Sequence, residues 1–347
     1  MADGTIVFIG CYTPASGGGR GEGIVAARRR PDDGRLEPIG LVAATPSPSF
    51  LVRHPTLPVL FATNEVEAGA ISAWAIGDGG SLVALGRAAT GGAEPCHAAV
   101  APGDGHLVVA NYGTGSLALH PLEPATGAPG ERTDLLAHEG HGVDPERQAG
   151  PHPHMVSPDP SGASLLAVDL GTDSVYRYDL DAAAGRLVPY GGPVWQRPSA
   201  GPRHLARHPD GRRCFLVGEL DATVTVCEID GAGVLHERGS LPASAAAGHV
   251  QPSEIAVRGD GRFLYVANRG PDTVAVFALD GEQPRYVDEV PTGGRWPRHF
   301  AIIGEHLYVA NERSHSVGVF RLDADTGLPV AVGAPFDTPS PTCVMPE

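Results

Sequence analysis

The chain contains no lysine, and all 25 of its basic residues are arginine. Because a lysine amine is the group that forms Schiff bases and acts as an amine nucleophile, both kinds of chemistry are excluded. The 40 acidic residues outnumber the 25 basic ones, and the formal net charge is −15. Nucleic-acid binding normally needs a basic face, so the composition predicts no nucleic-acid partner.

Cysteine is also scarce. The five cysteines are odd in number, lie far apart and include no CxxC pair: Cys11, Cys96, Cys214, Cys227 and Cys343. Neither a disulfide framework nor a cysteine-based zinc site is expected, and a reducing, cytoplasmic environment fits this pattern best. We predict no metal and no organic cofactor.

Long hydrophobic runs are absent too. The N-terminal stretch MADGTIVFIGCYT has no basic region and only a four-residue apolar run, so it resembles neither a signal peptide nor a membrane helix. No later segment approaches the length of a membrane span, although the 42% hydrophobic content is ample for a core. The sequence therefore predicts a soluble, cytoplasmic protein without a membrane partner.

Turn residues, by contrast, are abundant, with 47 glycines and 33 prolines. Many of the prolines begin similar segments, such as QPSEIAVRGDGRFLYVANR and WPRHFAIIGEHLYVANE. The corresponding prolines are Pro48, Pro95, Pro151, Pro202, Pro252, Pro297 and Pro341. Their spacings are 47, 56, 51, 50, 45 and 44 residues. Such a period, with strand, turn and strand in each copy, is typical of β-propeller blades.

Each copy continues with a loop, a third alternating strand such as VTVCEI or VAVFAL, and a more variable fourth segment. The last copy, PSPTCVMPE, supplies only a first strand, whereas the N-terminal TIVFIGCYT and GIVAARR read as a second and a third strand. We therefore predict an all-β chain with a single domain over residues 1–347. The domain is a seven-bladed propeller of four-stranded antiparallel blades, and the two terminal segments share one blade.

In such a blade the start of the innermost strand and the end of the second strand lie at the same face. The residues that follow the prolines are Ser49, Cys96, His152, Arg203, Ser253, Arg298 and Thr342. Those just beyond the second strands include Glu65, Tyr112, Glu219, Arg269 and Glu312. A structural ring would repeat one residue type, so this mixture of histidine, arginine and glutamate indicates a functional site. The repeated asparagines Asn64, Asn111, Asn268 and Asn311 are interpreted as structural loop caps.

Several features of this rim allow a simpler interpretation. Arg203 and Glu219 could form only an ion pair between two strands, and the PHPHM histidines resemble a metal pair but lack a third ligand cluster. The charged insertion HGVDPERQAG, residues 141–150, explains the longest spacing, and we expect it to fold over the rim as a partial lid.

The residues of the rim are more informative together than singly. Converging arginines form an anion site, and histidine with glutamate can transfer protons near neutral pH. The combination favours an enzyme for a small anionic substrate.

The segments GPHPH…SPD, GPRH…HPDG…GEL and QPSEIAV…DGRFLYVANRG resemble the seven-bladed β-propeller lactonases, over essentially the whole chain. That family includes 6-phosphogluconolactonases and carboxymuconate-lactonizing enzymes. The resemblance implies a catalytic set of His152, Arg203, Glu219 and Arg269. His154, Arg298, Glu65 and Tyr112, which lie on the same rim, are predicted as substrate-binding residues. His152 and His154 compete for the histidine position, and counting back from the SPD turn favours His152.

The resemblance leads to a first hypothesis, hydrolysis of 6-phosphogluconolactone to 6-phosphogluconate. In it, Glu219 or His152 activates water, Arg203 stabilises the oxyanion, and Arg269 with Arg298 holds the anionic group. One alternative is a carboxymuconate-type cycloisomerase, in which arginines bind two carboxylates and His152 transfers the proton. A second is a non-catalytic propeller that binds proteins, which leaves the mixed ring unexplained. The sequence leaves the oligomeric state open.

Overall fold

The computed structural model describes residues 5–160, 162 and 164–347. Within these ranges the helical content is three single-turn 3₁₀ helices, Pro14–Ser16, Asp78–Gly80 and Glu312–Ser314. No helix within these ranges has the length and apolar character needed to span a bilayer. The described chain is therefore built almost entirely from strands and turns.

The strands are numbered in chain order. They are β1 (Ile6–Cys11), β2 (Gly23–Arg29), β3 (Leu36–Ala44), β4 (Pro48–Arg53), β5 (Val59–Asn64), β6 (Ala70–Ile76), β7 (Leu82–Ala89), β8 (Pro95–Val100), β9 (His106–Asn111), β10 (Ser116–Pro121), β11 (Asp134–Ala137), β12 (Pro153–Pro158), β13 (Ser164–Asp169), β14 (Ser174–Asp181), β15 (Arg186–Pro189), β16 (Trp195–Gln196), β17 (Pro202–Arg207), β18 (Arg213–Gly218), β19 (Thr223–Ile229), β20 (Leu235–Pro242), β21 (Gln251–Val257), β22 (Phe263–Arg269), β23 (Thr273–Ala278), β24 (Arg285–Pro291), β25 (Pro297–Ile303), β26 (His306–Asn311), β27 (Ser316–Leu322), β28 (Pro329–Ala331), β29 (Phe336–Asp337) and β30 (Pro341–Pro346).

These strands form seven antiparallel sheets, which are the blades of a propeller. Blades one to six are β4–β7, β8–β11, β12–β16, β17–β20, β21–β24 and β25–β29, and blade seven joins β30 to β1, β2 and β3. In blades three and six two short strands share the outermost position. The inner strands β4, β8, β12, β17, β21, β25 and β30 contact their neighbours in a closed circle. The predicted fold and its closure by both terminal segments are confirmed.

The core lies between the blades rather than within any one of them. Among the described residues, the buried apolar side chains form a separate cluster at each of the seven junctions between adjacent blades. Phe215 of blade four and Phe277 of blade five pack in one such cluster, and both are nearly inaccessible to solvent. Burying apolar area between neighbouring sheets stabilises the ring by roughly 25 cal/mol per Å². Each blade therefore buries apolar side chains against both of its neighbours.

A β-bulge interrupts each inner strand directly after its proline. In blade four, Pro202 pairs with Gly218 and His204 with Val217, so Arg203 between them has no partner on the second strand. The same irregularity occurs at this point in the other six blades. A bulge redirects the side chain of the extra residue. Of the residues that follow the prolines, Cys96, His154 and Arg298 line the mouth of the channel.

The repeated asparagines hold the loops that lead into the blades. The side-chain amide of Asn64 donates to the Pro46 carbonyl, Asn268 donates to Ala243, and Asn311 donates to Thr292. Asn111 instead donates to the Ser116 hydroxyl. The interpretation as loop caps is therefore confirmed for Asn64, Asn268 and Asn311, whereas Asn111 bonds a side chain and not the backbone.

Candidate active site

The rim residues surround a cavity of about 700 Å³ at the mouth of the channel. Its lining combines arginines, glutamates, aromatic residues and one histidine. The lining includes Tyr12, Glu65, Glu67, Glu94, Cys96, Tyr112, Arg147, His154, Glu219, Arg269, Arg298, Glu312 and Arg313. A cavity of this size is in the usual range for small-molecule sites. Of the eight predicted site residues, six line the cavity, while His152 and Arg203 do not.

Glu219 is the centre of a buried cluster of charges. One of its carboxylate oxygens accepts hydrogen bonds from Arg147 at 2.5 Å and from Gln251 at 3.3 Å. The other oxygen accepts from Arg269 at 2.6 Å and lies 3.1 Å from Nε of Arg203. Arg203 and Arg269 are 3% and 5% exposed. One carboxylate therefore holds three guanidinium groups in fixed positions.

This environment determines the protonation state of Glu219. Burial acts to raise the pKa of its carboxyl, but Arg269, Arg203 and Arg147 outweigh that effect and lower the pKa to about 2. Glu219 is therefore ionised at neutral pH, and both of its oxygens are already occupied. A carboxylate with so low a pKa is a weak base, so the geometry favours a positioning role for Glu219 over activation of water.

Arg203 lies behind this cluster. Its Nη1 donates to the Ser253 carbonyl at 2.6 Å, and its Nε faces Glu219. Burial, with Arg269 nearby, lowers the pKa of Arg203 to about 10, so its guanidinium remains charged at neutral pH. The predicted proximity of Arg203 and Glu219 is confirmed. Of the three guanidiniums around Glu219, those of Arg147 and Arg269 line the cavity.

A second charged group surrounds Arg298. Its guanidinium lies 5.0 Å from the centre of the Tyr12 ring and 3.7 Å from a carboxylate oxygen of Glu312. The Tyr12 hydroxyl donates to Glu65 at 2.6 Å, and the other oxygen of Glu65 is buried without a hydrogen-bond partner. This side of the cavity therefore carries two carboxylates around a single arginine.

The structure corrects the register of blade three. The sequence pattern matches Pro151 with the other prolines, but the inner strand begins at Pro153, and Pro153 pairs with Asp169. The prediction that Pro151 begins this strand and that His152 follows the equivalent proline is wrong, because the motif PHPH contains two Pro-His pairs. His154 is the residue that the bulge turns towards the channel, and it lines the cavity.

The two histidines have different surroundings. His152 stacks on the Tyr112 ring at 4.5 Å, and its Nδ1 donates to the Tyr112 carbonyl at 2.8 Å. His154 is 8% exposed, and its Nδ1 is buried without a partner. Burial, together with the charges of Arg203 and neighbouring groups, holds the pKa of His154 well below its usual value. His154 is thus a neutral imidazole on the cavity wall.

Three residues of the cavity were not predicted from the sequence: Arg147, Tyr12 and Arg313. Arg147 belongs to the insertion over residues 141–150, and Gln148 fixes this loop by donating to the Leu170 carbonyl and to Asp173. The prediction that this insertion reaches the rim is confirmed. Its charged PER segment was the only signal for Arg147, whereas Tyr12 and Arg313 follow second strands in the same manner as Tyr112 and Glu312.

Further along the inner strands, a layer of side chains fills the centre of the channel. The Phe50 ring stacks on His97 at 4.0 Å, and the His97 ring lies 5.5 Å from that of His204. Glu254 accepts from His204 at 3.1 Å, and burial raises the pKa of this carboxyl. Even so, no group of three or more His, Cys, Asp or Glu side chains in the described ranges has the arrangement of a metal site.

A closed seven-bladed ring with a buried, charged cavity at one mouth defines an enzyme-like propeller. The family model for the seven-bladed β-propeller lactonases matches residues 6–346. The chain therefore belongs to this lactonase family, and the resemblance inferred from its motifs is confirmed. Because this is a family of enzymes, the alternative of a non-catalytic propeller that binds proteins is not supported.

Individual relatives agree with this assignment. The chain is 32% identical to a 6-phosphogluconolactonase of Bacillus subtilis over 86% of its length and 84% of that protein. It is 30% identical to the periplasmic gluconolactonase of Pseudomonas aeruginosa, with a TM-score of 0.89 and coverage of 99% and 98%. A crystal structure from Bacteroides fragilis, of a protein proposed to be a 6-phosphogluconolactonase, gives a TM-score of 0.91 at 29% identity and coverage of 100% and 98%.

Proposed function

We propose that this protein hydrolyses a sugar-acid lactone, and that 6-phosphogluconolactone is its substrate and 6-phosphogluconate its product. The observation that carries the proposal is the presence of a neutral histidine, His154, and the guanidiniums around Glu219 in one cavity. The names of the relatives from Bacillus subtilis and Pseudomonas aeruginosa support a sugar lactone as the substrate class.

In this mechanism His154 is the general base. A neutral imidazole at the cavity wall accepts a proton from water as the water oxygen attacks the lactone carbonyl carbon. The carbonyl oxygen becomes an oxyanion, and Arg269 and Arg147 are the guanidiniums of the Glu219 cluster that line the same space. Positive charge fixed where negative charge develops is usually the largest contribution to such catalysis.

The second half of the reaction opens the ring. The tetrahedral intermediate collapses, the bond between the carbonyl carbon and the ring oxygen breaks, and His154 returns its proton to that oxygen. The products are a hydroxyl group and a carboxylic acid, which ionises at neutral pH. Glu219 and Arg203 act as positioning residues, because Glu219 holds the guanidiniums and Arg203 supports Glu219 from behind.

The proposal is tested by hydrolysis of freshly generated 6-phosphogluconolactone, coupled to 6-phosphogluconate dehydrogenase and corrected for spontaneous opening. We expect an enzyme-dependent rate that is lost in Arg269→Gln, because that variant removes a guanidinium from the cavity. Glucono-δ-lactone, assayed by acid release, serves as the substrate without phosphate. No rate above background with either lactone would refute the proposal, and turnover of a muconolactone would then support the cycloisomerase alternative.

The pH dependence gives a separate test of His154 as the base. A base acts in its neutral form, and burial with Arg203, His204 and Arg298 nearby holds the pKa of His154 well below 6.5. We therefore expect kcat/KM to stay level as pH falls from 7.5 through 6.5 and to decline only under more acidic conditions. Glucono-δ-lactone is the substrate for this measurement, because a phosphate monoester titrates near pH 6. A decline centred at pH 6.5 would contradict the assignment.

A further inference from the structure

The arginines of the cavity differ in how completely their charges are balanced. Arg147 and Arg269 donate to Glu219, which also faces the buried Arg203. Arg298 faces Glu312 and lies near the Tyr12–Glu65 pair. Arg147 and Arg269 are the guanidiniums that the proposed mechanism assigns to the oxyanion, and Arg298 shares its charge with Glu312.

Arg313 is the exception. It lines the cavity, and among the described residues it forms no ion pair, whereas each of the other cavity arginines has a carboxylate within 4.0 Å. Its guanidinium carbon lies 3.4 Å from the centre of the Trp296 ring. Stacking on an aromatic face fixes a guanidinium while leaving its N–H groups available for an incoming anion.

Trp296 connects this arginine to the reacting centre. The same indole ring lies 5.4 Å from the guanidinium carbon of Arg269. Trp296 also has a φ of 63°, in the left-handed region that a bulky residue rarely adopts. Its backbone N–H donates to Asp272 at 2.7 Å, and this bond helps to hold the unusual conformation. The indole is thus held in contact with both a guanidinium of the Glu219 cluster and the free guanidinium of Arg313.

Blades one and two contribute further carboxylates to the cavity. Glu65 and Glu67 follow the second strand of blade one, and Glu94 precedes the inner strand of blade two. All three line the cavity, and Glu65 has a buried carboxylate oxygen without a hydrogen-bond partner. Carboxylates are good acceptors for sugar hydroxyls but unfavourable neighbours for a phosphate dianion. The part of the cavity that these glutamates line therefore suits the hydroxyl groups of a sugar better than a phosphate group.

We propose that Arg313, stacked on Trp296, binds the phosphate group of the substrate, while the hydroxyl groups of the sugar face the glutamates of blades one and two. This inference deepens the proposed function and rests on it, because it names the residue that distinguishes a phosphorylated lactone from an unphosphorylated one. Arg313 is a specificity residue and has no part in proton transfer.

The test measures binding of the two open-chain products, 6-phosphogluconate and gluconate, by calorimetry, so it does not depend on turnover. Removing one charge-assisted contact at an exposed position weakens binding by about tenfold. We expect Arg313→Gln to raise the Kd of 6-phosphogluconate by that factor and to leave the Kd of gluconate within twofold. Arg313→Lys should recover part of the lost affinity, since it keeps the charge but not the planar stack.

Arg295→Gln is the matched control. Arg295 is another exposed arginine beside Trp296, and it donates to the Arg313 carbonyl but does not line the cavity. We expect this variant to bind both products as the wild-type protein does. Equal weakening of both products in Arg313→Gln, or no weakening of 6-phosphogluconate, would overturn the inference. Failure of lactone hydrolysis together with a selective loss of 6-phosphogluconate binding would instead overturn the proposed reaction and leave Arg313 as a phosphate-binding residue.

Discussion

His154→Gln is expected to lower kcat/KM for lactone hydrolysis by roughly 10²–10⁴-fold, the usual contribution of a positioned general base. Glutamine keeps a polar side chain of similar size on the cavity wall but cannot accept a proton. Because His154 is buried without a partner for its Nδ1, the substitution breaks no hydrogen bond of that atom in the folded protein. The measurement is steady-state hydrolysis of 6-phosphogluconolactone, with a thermal unfolding curve of each variant.

The neighbouring residue provides the control. His152→Gln removes a histidine two positions away whose ring lies on Tyr112 and outside the cavity lining. We expect His152→Gln to retain activity within a few-fold of wild type. A loss of similar size in both variants would point to a general disturbance of blade three. The opposite order, with His152→Gln inactive and His154→Gln active, would restore His152 as the base.

The second large effect concerns Glu219. In Glu219→Gln, the guanidiniums of Arg203 and Arg269 lose their shared carboxylate in a buried place, and breaking a buried ion pair from one side costs about 3–5 kcal/mol of stability. Turnover should also fall by about 10²–10³-fold, since the cavity guanidiniums lose their fixed positions. Denaturant titration and the coupled assay report the two effects separately.

Glu94→Gln is the comparison for this prediction, because Glu94 lines the same cavity but is exposed and forms no ion pair in the described part of the chain. Its free energy of unfolding should lie within about 0.5 kcal/mol of wild type. Adding Arg203→Met to Glu219→Gln should recover part of the stability by removing one uncompensated charge. Wild-type stability in Glu219→Gln alone would show that the cluster does not depend on this carboxylate.

The fold could be predicted because the sequence pattern that specifies a blade is repeated along the chain. Each blade carries its own proline, turn and alternating strands, so the period of 44 to 56 residues was visible without any knowledge of contacts. The proximity of Arg203 and Glu219 could be predicted for the same reason. The tight HPDG turn between their strands leaves few choices of register, and both residues lie at the same end of a hairpin.

Features that do not repeat from blade to blade could not be predicted in this way. PHPH offers two equivalent prolines, and only the pairing of Pro153 with Asp169 distinguishes them. The contact of Arg147 with Glu219 joins an insertion in one blade to the hairpin of another, which no local pattern records. The weak basicity of Glu219 results from three charges on different segments, so it requires the assembled site.

The way blade seven is assembled has a consequence for biosynthesis. Of the strands in the ring, β1 is synthesised before all the others and its inner partner β30 after them, with Ile9 paired to Val344. Until β30 has been synthesised, the nascent chain exposes the edge of β1, and the cluster between blades six and seven lacks Val344. Such an edge favours association with other chains. We therefore expect slow or incomplete synthesis to produce aggregation-prone fragments that need chaperone protection until the final strand is released.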